Sequence, residues 1–405
     1  MKNLLKVISL LTIAGFVLTA CEGPMGPQGP AGTNGTNGTN GTNGKDGKDA
    51  NETCKLCHNK TVVEAVANEF HYSLHAQGEA YEEGTRNACA PCHSHQGFLN
   101  VIAKNTLATF AGPDASNKYT NNYVVEASAL ALPGPIGCFT CHSSLHTNYA
   151  GTEFSPLATT AAVKMTMWGA AKEINFTKTS GNLCAKCHQP RPVTGSNGNV
   201  IDYSKLVSDP TATYALSSIS YRTGVHYGTQ GAMAAGVGGI EFGAADYTNS
   251  AHTAGASCNT CHMATPSGLA GGHSFTATGN YNGCNATGCH TTMSATNATL
   301  TAAKADIASL LTQLATKINA IGAGHDILEK DTDGSYHGYF DIYDATANPD
   351  GWWKNPANGT PAFPALTNAQ FGAILNYQLV VRGGGAGVHN YPYMKKLLER
   401  SLAAW

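Results

Sequence analysis

Twelve of the thirteen cysteines fall in six pairs, and a histidine directly follows every pair. The runs are Cys54–Cys57–His58, Cys89–Cys92–His93, Cys138–Cys141–His142, Cys184–Cys187–His188, Cys258–Cys261–His262 and Cys284–Cys289–His290. Two residues separate the thiols in the first five pairs and four in the sixth. Residues 54–405 therefore hold no cysteine left over for a disulfide.

Two thiols three positions apart can reach the two vinyl groups of one haem and form thioethers, and the next histidine then lies under the iron. Paired cysteines also bind zinc. Zinc sites do not require a histidine directly after each pair, yet all six pairs have one in a chain with 16 His among 405 residues. A disulfide scaffold leaves those histidines unexplained. The spacing thus predicts six haem c groups, with His58, His93, His142, His188, His262 and His290 as proximal ligands.

The rest of the composition excludes other classes. Charged residues are 12% and the formal net charge is -2, so no basic field is offered to nucleic acid. The motifs lie within residues 54–290, at about 40 residues per haem. A chain that short is expected to use the haems themselves as much of its packed apolar surface. The expected fold is mainly α and irregular: a haem-packed multihaem cytochrome c with short helices, long loops, a C-terminal helical cover and little β.

Ten histidines remain after the proximal six. Ser73-Leu74-His75, Ser144-Leu145-His146 and Ser250-Ala251-His252 share an S-x-H pattern. The stretch around His252, together with Val225-His226-Tyr227, Gly271-Gly272-His273-Ser274-Phe275 and Gly387-Val388-His389-Asn390, resembles a broad group of multihaem cytochromes. That group contains cytochrome c554, the pentahaem nitrite reductases and the octahaem hydroxylamine oxidoreductases. The stretched sixth motif also resembles a variant found in small multihaem cytochromes. The resemblance implies distal iron ligands at His75, His146, His226, His252, His273 and His389. His71, one helical turn from His75, together with His95, His325 and His337, are the spares that could replace one of them.

The N-terminus reads as an address. Lys2 and Lys6 precede an apolar run from Ile8 to Leu18, too short to span a membrane comfortably and shaped like a signal peptide over residues 1–20. Leu18-Thr19-Ala20-Cys21 resembles a bacterial lipobox, which implies a lipidated Cys21. Acyl chains, at about 0.8 kcal/mol per buried methylene, would hold the chain on a membrane. Glu22 then implies the outer membrane, at its periplasmic face or on the cell surface. Gly recurs at every third position from Gly23 to Gly47 and resembles collagen. Only three of the nine triplets carry Pro, so residues 21–50 read either as an extended tether or as a trimerising stalk. A six-haem domain over 51–295 and a C-terminal helical region over 296–405 follow.

In that last region Ile307, Leu310, Leu311, Leu314, Ile318 and Ile321 have helical spacing, predicting a helix over about 299–322. Thr367 and Gln370 form a capping box for a second, ending at Gly383-Gly384-Gly385. A third is expected after Asn390, with Pro392 in its first turn.

Iron held by two histidines has no position open to substrate, so the expected function is electron relay rather than catalysis. The expected partners are other redox proteins or multihaem cytochromes, an outer-membrane electron conduit, an extracellular metal oxide, and the membrane through the lipid anchor. Two alternatives stay open. One is a reductase of nitrite, hydroxylamine or a sulfur oxyanion, with one open haem and Arg191, Arg222 and Arg382 lining its pocket. In that case the fourth haem is suspected, because Arg191 follows its motif. The other is a subunit of an extracellular cytochrome filament.

Overall fold

The computed structural model describes residues 59–86, 89–103, 110–113, 119–121, 133–142, 157–165, 167–168, 174–189, 191–193, 201–214, 220–243, 246–343, 352–353 and 363–405. The signal peptide, Cys21, the Gly-x-y segment, the first motif with Cys54, Cys57 and His58, and His146 lie outside them. All described residues belong to one compact unit, Ala50–Trp405.

The described chain is mainly helical and irregular. Its β structure is three two-stranded pairings. Phe110–Pro113 with Tyr119–Asn121 and Val163–Met165 with Ile174–Phe176 are antiparallel, and Ile342–Tyr343 with Trp352–Trp353 is parallel. No described helix is long and apolar enough to cross a membrane.

The three C-terminal helices form where the sequence places them. Asn297 caps Ala298–Asn319 by accepting from the Leu300 amide at 3.1 Å. Its buried stripe is Ile307, Leu314, Ala315 and Ile318. Thr367 and Gln370 exchange the expected capping bonds at the head of Asn368–Gly383. Gly384 ends that helix with φ of +63°, a conformation that glycine adopts at little cost. Tyr391–Ala403 carries Pro392 in its first turn.

These helices do more than form a cover. Asn368–Gly383 is buried on every face; of its sixteen residues, Gln370 and Val381 alone are not. Leu397, Leu398 and Met394 pack on it from one side. Met167, Leu206, Met233 and Ile240 come from the stretch between the third and fifth motifs and complete the same core. The polypeptide therefore builds a substantial aliphatic and aromatic core of its own, shared by residues on both sides of position 295.

Buried amides in the central helix tie down the loops. Gln378 accepts from the Val225 amide at 2.9 Å and donates to the carbonyls of Gly338 and Thr223 at 2.7 and 3.1 Å. Asn376 bonds both the amide and the carbonyl of Ile240, at 2.6 and 2.8 Å. Asn368 donates to the Asp209 carbonyl at 2.9 Å. Residues 195–225 form a long loop-rich stretch, described over 201–214 and 220–225. In its described part, protein hydrogen bonds and the buried Leu206 hold it.

Candidate functional site

The described motifs share one local construction. Cys138–Cys141 and Cys258–His262 are single helical turns, and Ala90–His93 follows directly on Cys89. Gly181–Ala185 carries Cys184 into a turn through Cys187. A helical turn puts residues three apart on one face, so both thiols look the same way. The histidine amide closes the turn on the carbonyl of the first cysteine: His93 on Cys89 at 3.0 Å, His142 on Cys138 and His188 on Cys184 at 2.9 Å. The stretched sixth motif forms no helix, yet His290 closes on Cys284 at the same 2.9 Å. Its longer loop turns at Gly288, with φ of +85°. None of the ten described motif cysteines is in a disulfide.

Each described motif histidine faces one other histidine. The rings of His93 and His226 lie 6.1 Å apart between centres, those of His142 and His273 6.4 Å, and those of His188 and His75 6.1 Å. His262 and His389 are 6.2 Å apart, and His290 and His252 5.9 Å. No described histidine is used twice in these pairings. The five facing partners are the five described residues expected as distal ligands. The spares lie elsewhere: His95 bonds Thr140 at 2.9 Å, His337 faces Asp331 at 2.8 Å, and His71 lies edge-on to Tyr72. We call the pairs sites two to six, after the motif supplying each.

The second nitrogen of several rings is anchored. Nδ1 of His93 meets the Ala80 carbonyl at 2.9 Å, that of His226 the Tyr227 carbonyl at 2.7 Å, and that of His252 the Val388 carbonyl at 3.2 Å. His188 uses Gln230 at 3.2 Å and His262 the Phe275 carbonyl at 2.8 Å. With Nδ1 so engaged, Nε2 is the nitrogen left for a metal, and the ring orientation is set. Burial lowers His75, His226 and His389 to about 4. Their imidazoles are therefore neutral at pH 7 and carry the lone pair that ligation needs. Burial also lowers His273, and the nearby Glu69 carboxylate opposes it. Glu69 additionally accepts from the His273 amide at 2.9 Å. Sequence reading missed Glu69, because 204 residues separate the partners and no motif links them.

Surfaces around the pairs suit a large, flat, apolar group. Leu74 is 85% exposed beside His75, Phe139 65% between two motif cysteines, and Val388 39% beside His389. The helix Lys60–His71 leads into site four without one buried residue, although a short helix usually depends on packing. Among the described residues no group of three or more His, Cys, Asp or Glu could hold an ion. The imidazoles instead come in facing twos, an arrangement that fits iron held in a porphyrin plane.

Neighbouring sites touch. The second motif packs against the fourth, with Cys92 and Cys187 at the contact. Their sulfurs contact Lys186 O at 3.7 Å and Pro91 O at 3.9 Å, each in the other's motif region. Site four meets site five in the same way, with the Cys258 sulfur 3.8 Å from Gly181 O. Site six meets site five at Gly283, where a Cβ would come 2.9 Å from Cys261 Cα. Site three joins site four through Phe275, whose ring lies 5.9 Å from His273 and 5.1 Å from His75. The Gly-Gly-His-Ser-Phe stretch pointed at His273 but not at this use of Phe275.

The arginines gather at site two and not at site four. The charges of Arg191 and Arg382 both act on His226, and that of Arg191 also on Cys92. Arg222 lies over the Tyr221 ring at 5.2 Å. Packing of the second motif on the fourth brings the charge of Arg191, which follows the fourth motif in sequence, to bear on the second. Residues 247–303 hold no Lys, Arg, Asp or Glu, and Lys178 reaches this stretch from outside, donating to the Ala254 carbonyl at 2.9 Å.

No protein-family model matches the sequence, and no curated protein is similar to it. Among solved structures the chain is similar to the outer cell wall cytochrome OcwA, at 18% identity and a TM-score of 0.45. The similarity covers 84% of this chain and 50% of that one, so this chain spans about half its length.

Proposed function

We propose that this chain is a multihaem c-type cytochrome that relays electrons through covalently attached haems, each iron held between two histidines. One observation carries the reading: five described motif histidines each face a different second histidine, at 5.9 to 6.4 Å. A metal held between two imidazoles at metal–nitrogen distances of about 2 Å separates the ring centres by about 6 Å. Haem, when bound, supplies one-electron chemistry at the iron.

The residues of the chain do the rest. The two thiols of each motif fix the group covalently. With haem bound, the paired imidazoles would both ligate its iron, leaving no position for substrate and excluding water. The Nδ1 anchors hold His93, His188, His226, His252 and His262 against rotation. Contacts between sites two and four, four and five, five and six, and three and four support a continuous path with site four as its junction. A relay accounts for these features without an open site, so we favour it over the reductase reading.

The same proposal extends to the segments outside the described residues. Cys54, Cys57 and His58 attach a further haem, and Cys21 carries lipid that tethers the chain at the outer membrane, facing the periplasm or the outside. The partners are then other redox proteins, multihaem cytochromes or an extracellular acceptor met near that membrane.

Carbon monoxide tests the reading. Added to the fully reduced, haem-loaded protein, it is expected to leave the absorption spectrum unchanged, because every iron already has two ligands. Stoichiometric binding at one haem would show an open iron and favour the reductase.

A further inference from the structure

Arg382 is 5% exposed, near the end of the central helix Asn368–Gly383. Its Nε donates to the His337 carbonyl at 2.9 Å and its Nη1 to the Val225 carbonyl. Its Nη2 is buried and has no partner among the described residues. The guanidinium lies over the rings of Tyr339 at 4.6 Å and Tyr227 at 5.3 Å. No described carboxylate forms an ion pair with it. A buried cation without a counter-anion is costly, and a guanidinium edge with a free N–H is shaped for a carboxylate.

The position of that edge is informative. Val225 and Tyr227, which Arg382 touches, flank His226 on either side. His226 is the residue that faces His93. The second cation acting on His226 is Arg191. Two arginines thus converge on one of the five sites.

We infer that Arg382 is a carboxylate-binding clamp whose ligand is a propionate of the haem at site two. The inference rests on the two-histidine reading of that site. Arg382 acts as a positioning residue. It holds the carboxylate ionised, fixes the rotation of the group about its axial ligands, and places positive charge beside the iron. Removing that charge favours the ferric form, so the potential of this one haem falls.

Redox titration of the full-length, haem-loaded protein, followed haem by haem, tests the clamp. The site-two haem is first identified as the one that turns high-spin in His226→Ala. Arg382→Gln is expected to shift the oxidation equilibrium of that haem about tenfold toward ferric, or about 59 mV for one electron. The other potentials, the haem count and the low-spin spectrum are expected to stay unchanged. Arg382→Lys keeps the charge and restores most of the shift, which a purely structural role would not do. If Arg382→Gln does not fold, Arg191→Gln is read instead, with a smaller shift at the same haem.

An unchanged site-two potential in every variant that folds would overturn the clamp. Acetate separates the two sources of carboxylate. A wild-type site-two potential that moves with acetate concentration would mean that an external anion occupies the clamp, and would overturn the propionate assignment. A site two that is high-spin in the wild type would overturn the two-histidine reading instead.

Discussion

The central helix Asn368–Gly383 and the helix Lys60–His71 differ in length by four residues and in almost every physical respect. The first is enclosed by protein, with Phe371, Ile374 and Leu379 fully buried and its buried amides bonded to loops far away in sequence. The second buries nothing. The same contrast separates the C-terminal core from the motif helices Ala251–Gly255 and Cys258–His262, which also have no buried residue. One region is held together by polypeptide. In our reading the other is held by the group its thiols and histidines attach, and the protein supplies its frame.

The largest expected effect follows from removing that group. The chain with alanine at all twelve paired cysteines, followed by hydrogen exchange, is expected to lose amide protection across Lys60–His71 and the motif turns. Protection is expected to survive in Asn368–Gly383 and Tyr391–Ala403. Equal loss in both regions would erase the contrast.

Leu397→Ala attacks the opposite side. Leu397 is fully buried in the main core, and its truncation is expected to cost about 2–5 kcal/mol in denaturant unfolding. The absorption spectrum of the folded haem-loaded protein stays as it was. A changed haem spectrum would mean that the core and the sites are not separable.

Asn376→Ala sharpens the same point with a polar group. It leaves the Ile240 amide and carbonyl without their buried partner, at an expected cost of about 1–3 kcal/mol. No cost would mean that water or a local shift replaces the amide.

Asp341 provides the smallest effect, and one that depends on pH. Burial first, then the charge of Asp326, raises its carboxyl from 3.8 to about 6. The folded chain therefore prefers the protonated form. That contribution to stability is complete below the unfolded value and is lost as pH rises through about 6. Asp341→Asn is expected to flatten the decline across this interval and to stabilise the protein at neutral pH. An unchanged pH profile would show that the carboxyl is solvated in both states.

Much of this was legible in the sequence, and the limits have physical causes. The motifs were plain because, in our reading, covalent attachment demands fixed spacing. The cap at Thr367 and the helix after Asn390 follow local rules of a few residues. The partners of the motif histidines were legible as candidates, through short repeats and a resemblance. Which candidate faces which motif was not, since His188 meets His75 and His142 meets His273 across long separations that no local pattern encodes. The shared core was missed for the same reason. Met167, Leu206 and Met233 lie in loop-rich sequence without helical periodicity, and only tertiary contact with the C-terminal helices makes them core. Glu69, Phe275 and the convergence of Arg191 and Arg382 on site two likewise depend on how the chain packs.

The most direct test of the account is the electron paramagnetic resonance spectrum of the oxidised, haem-loaded, full-length protein, with spins counted per chain. Pairing of histidines across every iron predicts low-spin ferric signals alone, integrating to the number of haems bound. A high-spin signal near one spin per chain would contradict it, by showing an iron that the second histidine does not reach.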